Sequence, residues 1–91
     1  MKKNVNLTIK GKVQGVGFRF SCMEAAYRFK VYGHVRNRSN GNVTIVAEGD
    51  EENVDEFIAW CHKGPAWARV LEIEEKPGKV KGYESFEIIR N

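Results

Sequence analysis

The sequence predicts an α+β fold, an antiparallel sheet covered on one face by two helices. Three observations predict it. Two stretches repeat apolar residues at i, i+3, i+4 and i+7, as a helix lying on a core requires: Cys22, Ala25, Ala26, Phe29, and then Val54, Phe57, Ile58, Cys61. The stretches around them alternate apolar and polar residues, the period of a strand with one buried face. Glycines, asparagines and prolines punctuate the boundaries between the two kinds.

In chain order, Val5, Leu7 and Ile9 mark a first strand that ends near Val13. A glycine-containing loop leads into a helix from Phe20 to Lys30. Val31, Gly33 and Val35 share one face of a second strand, Val31 to Arg38, and the turn residues Ser39, Asn40 and Gly41 return the chain as a hairpin. Val43, Ile45 and Ala47 form the third strand. Asp50, Glu51 and Glu52 stand at the positive end of the second helix's dipole and His62 and Lys63 at its negative end, before Gly64 and Pro65 stop it. A fourth strand runs from Arg69 to Glu75 with Leu71 and Ile73. Lys76 to Tyr83, with Pro77, Gly78 and Gly82, reads as a loop, and Phe86 to Arg90 as a short last strand. The order is βαββαβ with a short C-terminal strand appended, the pattern of a ferredoxin-like sandwich. At 91 residues the chain is expected to be one domain, residues 1–91, with one core.

Composition narrows the function classes. Fifteen Lys+Arg against 12 Asp+Glu leave a net charge of +3, which suits a small anionic ligand without requiring one. No stretch approaches the roughly 18 apolar residues of a membrane span. Asn4, Asn6 and Lys10 interrupt the opening segment, so it lacks the apolar centre of an export signal; a cytoplasmic protein with no membrane partner is expected. Cys22 and Cys61 form no CxxC pair and no ligand set with His34 and His62, so neither a metal nor another cofactor is expected. The two thiols should lie toward the same end of the core and stay free, as in other reducing compartments. The chain is read as a free-standing monomer.

The topology brings two distant residues together. If the first strand points up, the first helix runs down and the second strand points up again. The loop after the first strand and the hairpin after the second then share one end of the sheet, which places Arg19 beside Asn37. In that loop, "KVQGVGFRF" (Lys12 to Phe20), Gly15 and Gly17 permit backbone conformations closed to other residues and leave the amide hydrogens uncovered. Amides turned inward at a helix start form an anion nest, and an arginine at the lip can add a two-pronged contact to phosphate oxygens. The glycines alone also fit a plain tight turn, and Asn37 alone fits a hairpin residue that tolerates unusual backbone angles. The loop is neither a dinucleotide fingerprint, since Phe20 stands where the third glycine belongs, nor a triphosphate loop, since no GK[ST] follows.

The motifs "GKVQGVGFRF" (Gly11 to Phe20), "YGHVRNRSNGNV" (Tyr32 to Val43), "VAEGDEENVDEFIAWCHKGP" (Val46 to Pro65) and "ARV" (Ala68 to Val70) together resemble an acylphosphatase over nearly the whole chain. The resemblance implies metal-independent hydrolysis of the carboxyl–phosphate bond of a small-molecule acyl phosphate. It implies that the amides of Gly15, Val16, Gly17, Phe18 and Arg19 bind the phosphate, that Arg19 is the essential cation, and that Asn37 positions the attacking water. Asn40 stands where the family's hairpin commonly has Asp, Thr44 where Glu often follows the valine, and Trp67 where a smaller apolar residue precedes "ARV". None of these positions is catalytic in the family.

Such a reaction needs few groups. An acyl phosphate expels a carboxylate whose conjugate acid has a pKa of about 4, so no general acid is required. That fits a sequence with no evident carboxylate pair or Cys/His nucleophile pair. The same βαββαβ order also carries RNA-recognition modules, and a non-catalytic anion- or RNA-binding module is the alternative. The first and third strands lack the aromatic residues on which bases stack, so no nucleic-acid partner is expected. His34 is expected near the site end as a strand residue, Gln14 and Phe18 as residues that shape the loop, and Trp60 and Trp67 as packing residues beside the Gly64–Pro65 turn.

Overall fold

The computed structural model describes residues 1–90. The chain runs β1 (Lys2–Lys12), α1 (Phe18–Phe29), β2 (Tyr32–Asn37), β3 (Val43–Asp50), α2 (Glu51–Lys63), β4 (Arg69–Gly78) and β5 (Phe86–Ile89). The strands form one sheet in the order β4-β1-β3-β2-β5. Val5, Leu7 and Ile9 of β1, Val35 of β2 and Val43, Ile45 and Ala47 of β3 all point to one face and are buried there with Cys22, Ala25 and Ala26 of α1 and Val54, Phe57 and Cys61 of α2. The period-2 and period-3.6 patterns meet in this one core.

Four of the strands pair antiparallel, as expected. The appended β5 differs: it pairs parallel to β2, with Val35 opposite Ile88. The path of the chain explains this. β4 ends at Gly78 beside Asn4, at the lower end of β1. The segment that follows crosses beneath the sheet, where Lys81, Gly82 and Tyr83 donate their N–H groups to the Glu48 carboxylate at the lower end of β3. It then meets the lower end of β2, where Gly33 donates to the Ser85 carbonyl oxygen. A strand entering there can only run upward with β2.

Most element boundaries fall within a residue of the sequence reading, and the larger departures have physical reasons. α1 begins at Phe18, because its buried stripe starts one turn earlier, at the position four before Cys22. β4 continues through Pro77 and Gly78, residues whose sequence reads as loop; as an edge strand it has a side with no ladder bond for a proline to remove. β3 runs on to Asp50. Phe18 packs on Trp60 at 5.8 Å, Trp60 on Phe57 at 6.2 Å, and Phe57 on Phe86 at 5.9 Å, a row of rings that joins α1, α2 and β5. Trp67, read as a packing residue, is instead 82% exposed. The turn closed by the Ala68 N–H on the Pro65 carbonyl oxygen leaves it outside the core. No helix among the described residues is long and apolar enough to cross a membrane.

Candidate active site

The upper end of the sheet carries a pocket of about 140 Å³ lined by Val13, Gly15, Gly17, Phe18, Arg19, Phe20, Asn37, Ile88 and Arg90. Arg19 and Asn37, predicted to meet, share it. Each reaches it for a local reason. β1 ends at Lys12 and the chain turns through Gly15 (φ 73°) and Gly17 (φ 75°), both left-handed, while the residues on either side of each stay right-handed or extended. Alternation of this kind turns successive N–H groups toward one concavity. No acceptor among the described residues takes the N–H groups of residues 15–20, and those of the first turn of α1 have none within the helix. The positive end of the helix dipole adds to their field.

Phe18 anchors the loop. Its side chain is 2% exposed in the core, so the helix start cannot swing away from the sheet. Arg19, one residue on, is thereby held at the pocket wall. Val16 is not among the lining residues; its side chain is partly buried and packs against the core.

Asn37 ends β2 on the same face as Val35, since the two are separated by one residue. Its Oδ1 is buried and meets no hydrogen-bond donor. An unpaired buried carbonyl costs free energy unless something fills its place. The Gln14 side-chain amide fixes loop and hairpin to each other, donating to the carbonyl oxygens of Arg38 (2.7 Å) and Asn42 (2.8 Å). Sequence reasoning gave Gln14 a loop-shaping role and missed that it bridges two elements.

Among the described residues the lining contains no Asp, Glu, His or Cys, and it offers hydrogen-bond donors, guanidinium charge and the Asn37 carboxamide. Such a set can bind an anion and orient a water, and does not move a proton through a titrating side chain. His34 does not join it. It sits one residue out of phase with Val35, on the outer face of the sheet, edge-on to Tyr83 at 5.8 Å. Burial, and then Arg36, Arg38 and Lys81, hold its pKa below the usual histidine value. Cys22 and Cys61 are free and buried, and burial, then the neighbouring Cys61 thiol, push the Cys22 thiol far up, which makes it a poor nucleophile.

Val13, Phe20, Ile88 and Arg90 complete the pocket without having been singled out from the sequence. Phe20 follows from the helix start at Phe18. Ile88 and Arg90 arrive because β5 runs parallel to β2, which carries its C-terminal end to the upper end of the sheet.

Comparison with known proteins shows the family. The acylphosphatase family model matches residues 5–88. An acylphosphatase from Thermococcus kodakarensis is 45% identical over 84 residues, covering 92% of each chain. One from Caldanaerobacter subterraneus subsp. tengcongensis is 45% identical over 89 residues, covering 97% of this chain and 99% of its own. The crystal structure of acylphosphatase from Bacillus subtilis superposes with a TM-score of 0.94 at 32% identity, covering 99% of this chain and 100% of that one. With the motifs of the glycine loop and the hairpin folded onto one pocket, and with these likenesses running almost end to end, the chain belongs to the acylphosphatase family, hydrolases that act on the mixed anhydride of a carboxylate and phosphate.

Proposed function

We propose that the chain hydrolyses acyl phosphates without a metal ion. The amides of residues 15–19 and the Arg19 guanidinium hold the phosphoryl group, and Asn37 orients the attacking water. The observation that carries this reading is the shared pocket: the glycine loop, whose N–H groups have no acceptor among the described residues, Arg19 and Asn37 line one space of phosphate scale.

In the ground state the amides and the guanidinium take the phosphoryl oxygens. Their positions are fixed before the substrate arrives, so they offset charge in the transition state without reorganising. The Asn37 Oδ1 accepts a hydrogen from water and so points a lone pair of the water at phosphorus. An amide does not take up a proton near pH 7, so the role is positional. As the water oxygen bonds to phosphorus, the bond from phosphorus to the acyl oxygen breaks and its electron pair leaves on the carboxylate. Both water hydrogens remain with the product, dihydrogen phosphate, which then equilibrates with solvent. A carboxylate leaves unprotonated, so the absence of an acid from the pocket wall is no obstacle.

One domain over residues 1–91, acting as a monomer in the cytoplasm, completes the reading. The continuous core over the described residues and the free buried thiols support it. The test is hydrolysis of benzoyl phosphate in the presence of EDTA, wild type beside Arg19→Ala. Activity in EDTA that falls at least about 10²-fold in the variant is the expected result. Activity lost to the chelator, or an Arg19→Ala enzyme as fast as wild type, overturns it.

A further inference from the structure

The pocket holds a second guanidinium for which hydrolysis of a simple acyl phosphate has no use. β5 pairs with β2 in the register Val35–Ile88 and Arg36–Ile89. One step further brings Arg90 level with Asn37. Because side chains alternate, Ile88 and Arg90 share the face of Val35 and Asn37, and both line the pocket. Ile88 packs on the core and Phe20 is 58% exposed, so an apolar path runs from the phosphate loop toward Arg90. Among the described residues Arg90 makes no ion pair and no side-chain hydrogen bond. Among the described residues no carboxylate in the lining offsets the charge of two arginines.

Two guanidiniums lining one small pocket, neither with an ion pair among the described residues, favour a ligand that brings more than one negative charge. A single phosphoryl group in the amide loop serves Arg19. Arg90 then faces the acyl half of the substrate, with its planar fork suited to a carboxylate or a phosphate group. We propose that Arg90 is a specificity-determining residue that selects acyl phosphates whose acyl half carries a second anionic group. This rests on the assignment of the phosphoryl group to the 15–19 loop. The acyl chain lies along Phe20 and Ile88, and the distal anion pairs with Arg90 at the mouth.

The test compares kcat/KM for three substrates: acetyl phosphate, with no second anion; succinyl phosphate, with a distal carboxylate; and 3-phosphonopropionyl phosphate, with a distal phosphonate. Wild type, Arg90→Gln and Arg90→Glu are measured at low and high salt. Arg90 is exposed at the end of an edge strand, so its variants should fold, and their melting temperatures check this. The expected result is that the ratio of succinyl to acetyl phosphate falls about tenfold in Arg90→Gln and further in Arg90→Glu, the scale of one charged hydrogen-bonded contact. The wild-type ratio should also fall at high salt. A larger drop for the phosphonate than for the carboxylate identifies phosphate-like groups as the preferred distal anion, and the reverse identifies carboxylates. Ratios within twofold of wild type in both variants overturn the proposal, because Arg90 would then serve all acyl phosphates alike or none. Arg19→Ala separates this failure from failure of the underlying reading: if that variant hydrolyses acetyl phosphate as fast as wild type, the phosphoryl group has been misplaced.

Discussion

The Gln14 side-chain amide donates to the Arg38 carbonyl oxygen at 2.7 Å and so ties the loop that follows β1 to the hairpin that follows β2. Both acceptors of Gln14 already serve the hairpin: the Arg38 oxygen takes the Gly41 N–H and the Asn42 oxygen takes the Arg38 N–H. Removing the amide therefore strips second bonds from two carbonyls and leaves neither unpaired. Gln14→Ala should cost only about 1 kcal/mol of stability. Catalysis should suffer more, because Arg19 rides on one element and Asn37 on the other, and a misplacement of about 1 Å can cost about 10²-fold. Urea midpoints and kcat on benzoyl phosphate check this; a kcat within twofold of wild type would show that the two elements keep their spacing without the bridge.

Arg19 and the amides divide the work of holding phosphate. Arg19→Lys keeps a positive charge but loses the planar fork, so it should retain part of the affinity that Arg19→Ala loses. Competitive inhibition by inorganic phosphate reads this directly, with Ki rising from wild type to Lys to Ala. Equal Ki values in all three would assign the phosphate to the amides alone.

Asn37 should show the opposite signature. A residue that orients water matters in the transition state and little in the bound ground state. Asn37→Ala should lower kcat by about 10²-fold, on the scale of a lost preorganised polar group, with the phosphate Ki within about threefold of wild type. A Ki that climbs with the fall in kcat would make Asn37 a phosphate ligand.

Much of this site was legible in the sequence because its determinants are local. Gly15, Gly17 and Arg19 lie in one loop, and the parallel direction of β1 and β2 across the α1 crossover fixes which hairpin shares their end of the sheet. The direction of β5 was not legible, and with it the presence of Ile88 and Arg90. It depends on a crossing segment anchored to Glu48, a contact distant in sequence that no periodicity encodes. His34, expected near the site end, stands in the lower half of β2 beside Tyr83, and alternation puts it on the face opposite Asn37. Pro77 reads as loop in the sequence because the edge position that lets a strand carry it is a property of the sheet.

Two glycines separate fold from function. A Cβ built on Gly33 (φ 135°) meets the Val46 carbonyl oxygen at 1.9 Å, backbone that can move only if β2 and β3 part. Gly33→Ala should cost several kcal/mol, about 3 or more, through steric overlap and left-handed strain together. A Cβ on Gly17 (φ 75°) meets nothing within 4 Å, so only the conformational cost of about 1–2 kcal/mol applies. The loop can escape that cost by leaving the left-handed region, which disperses the amides. Gly17→Ala should therefore keep most of its melting temperature and lose phosphate affinity, whereas Gly33→Ala should lose melting temperature first. Thermal melts with and without phosphate distinguish the two.

Glu48 gives a pH signature at the end of the sheet opposite the pocket. It is 3% exposed, yet its carboxylate accepts from the Asn4 side chain at 3.0 Å and from the N–H groups of Lys81, Gly82 and Tyr83 at 2.7, 2.8 and 2.9 Å. Burial by itself raises the pKa of a carboxyl; here the Asn4 amide and the three backbone donors outweigh it and hold Glu48 below the usual glutamate value. A carboxylate depressed on folding contributes stability that is present above its unfolded pKa, about 4.3, and is lost as pH falls through the lower folded value. Glu48→Gln keeps the shape and one acceptor oxygen but not the charge, so it should cost about 1–3 kcal/mol at pH 7. Because the variant lacks the titration, the gap between it and wild type should narrow steadily in urea melts from pH 5 to pH 3. A gap that stays constant over that range would mean the crossing segment is held by the shape of the side chain and not by its charge.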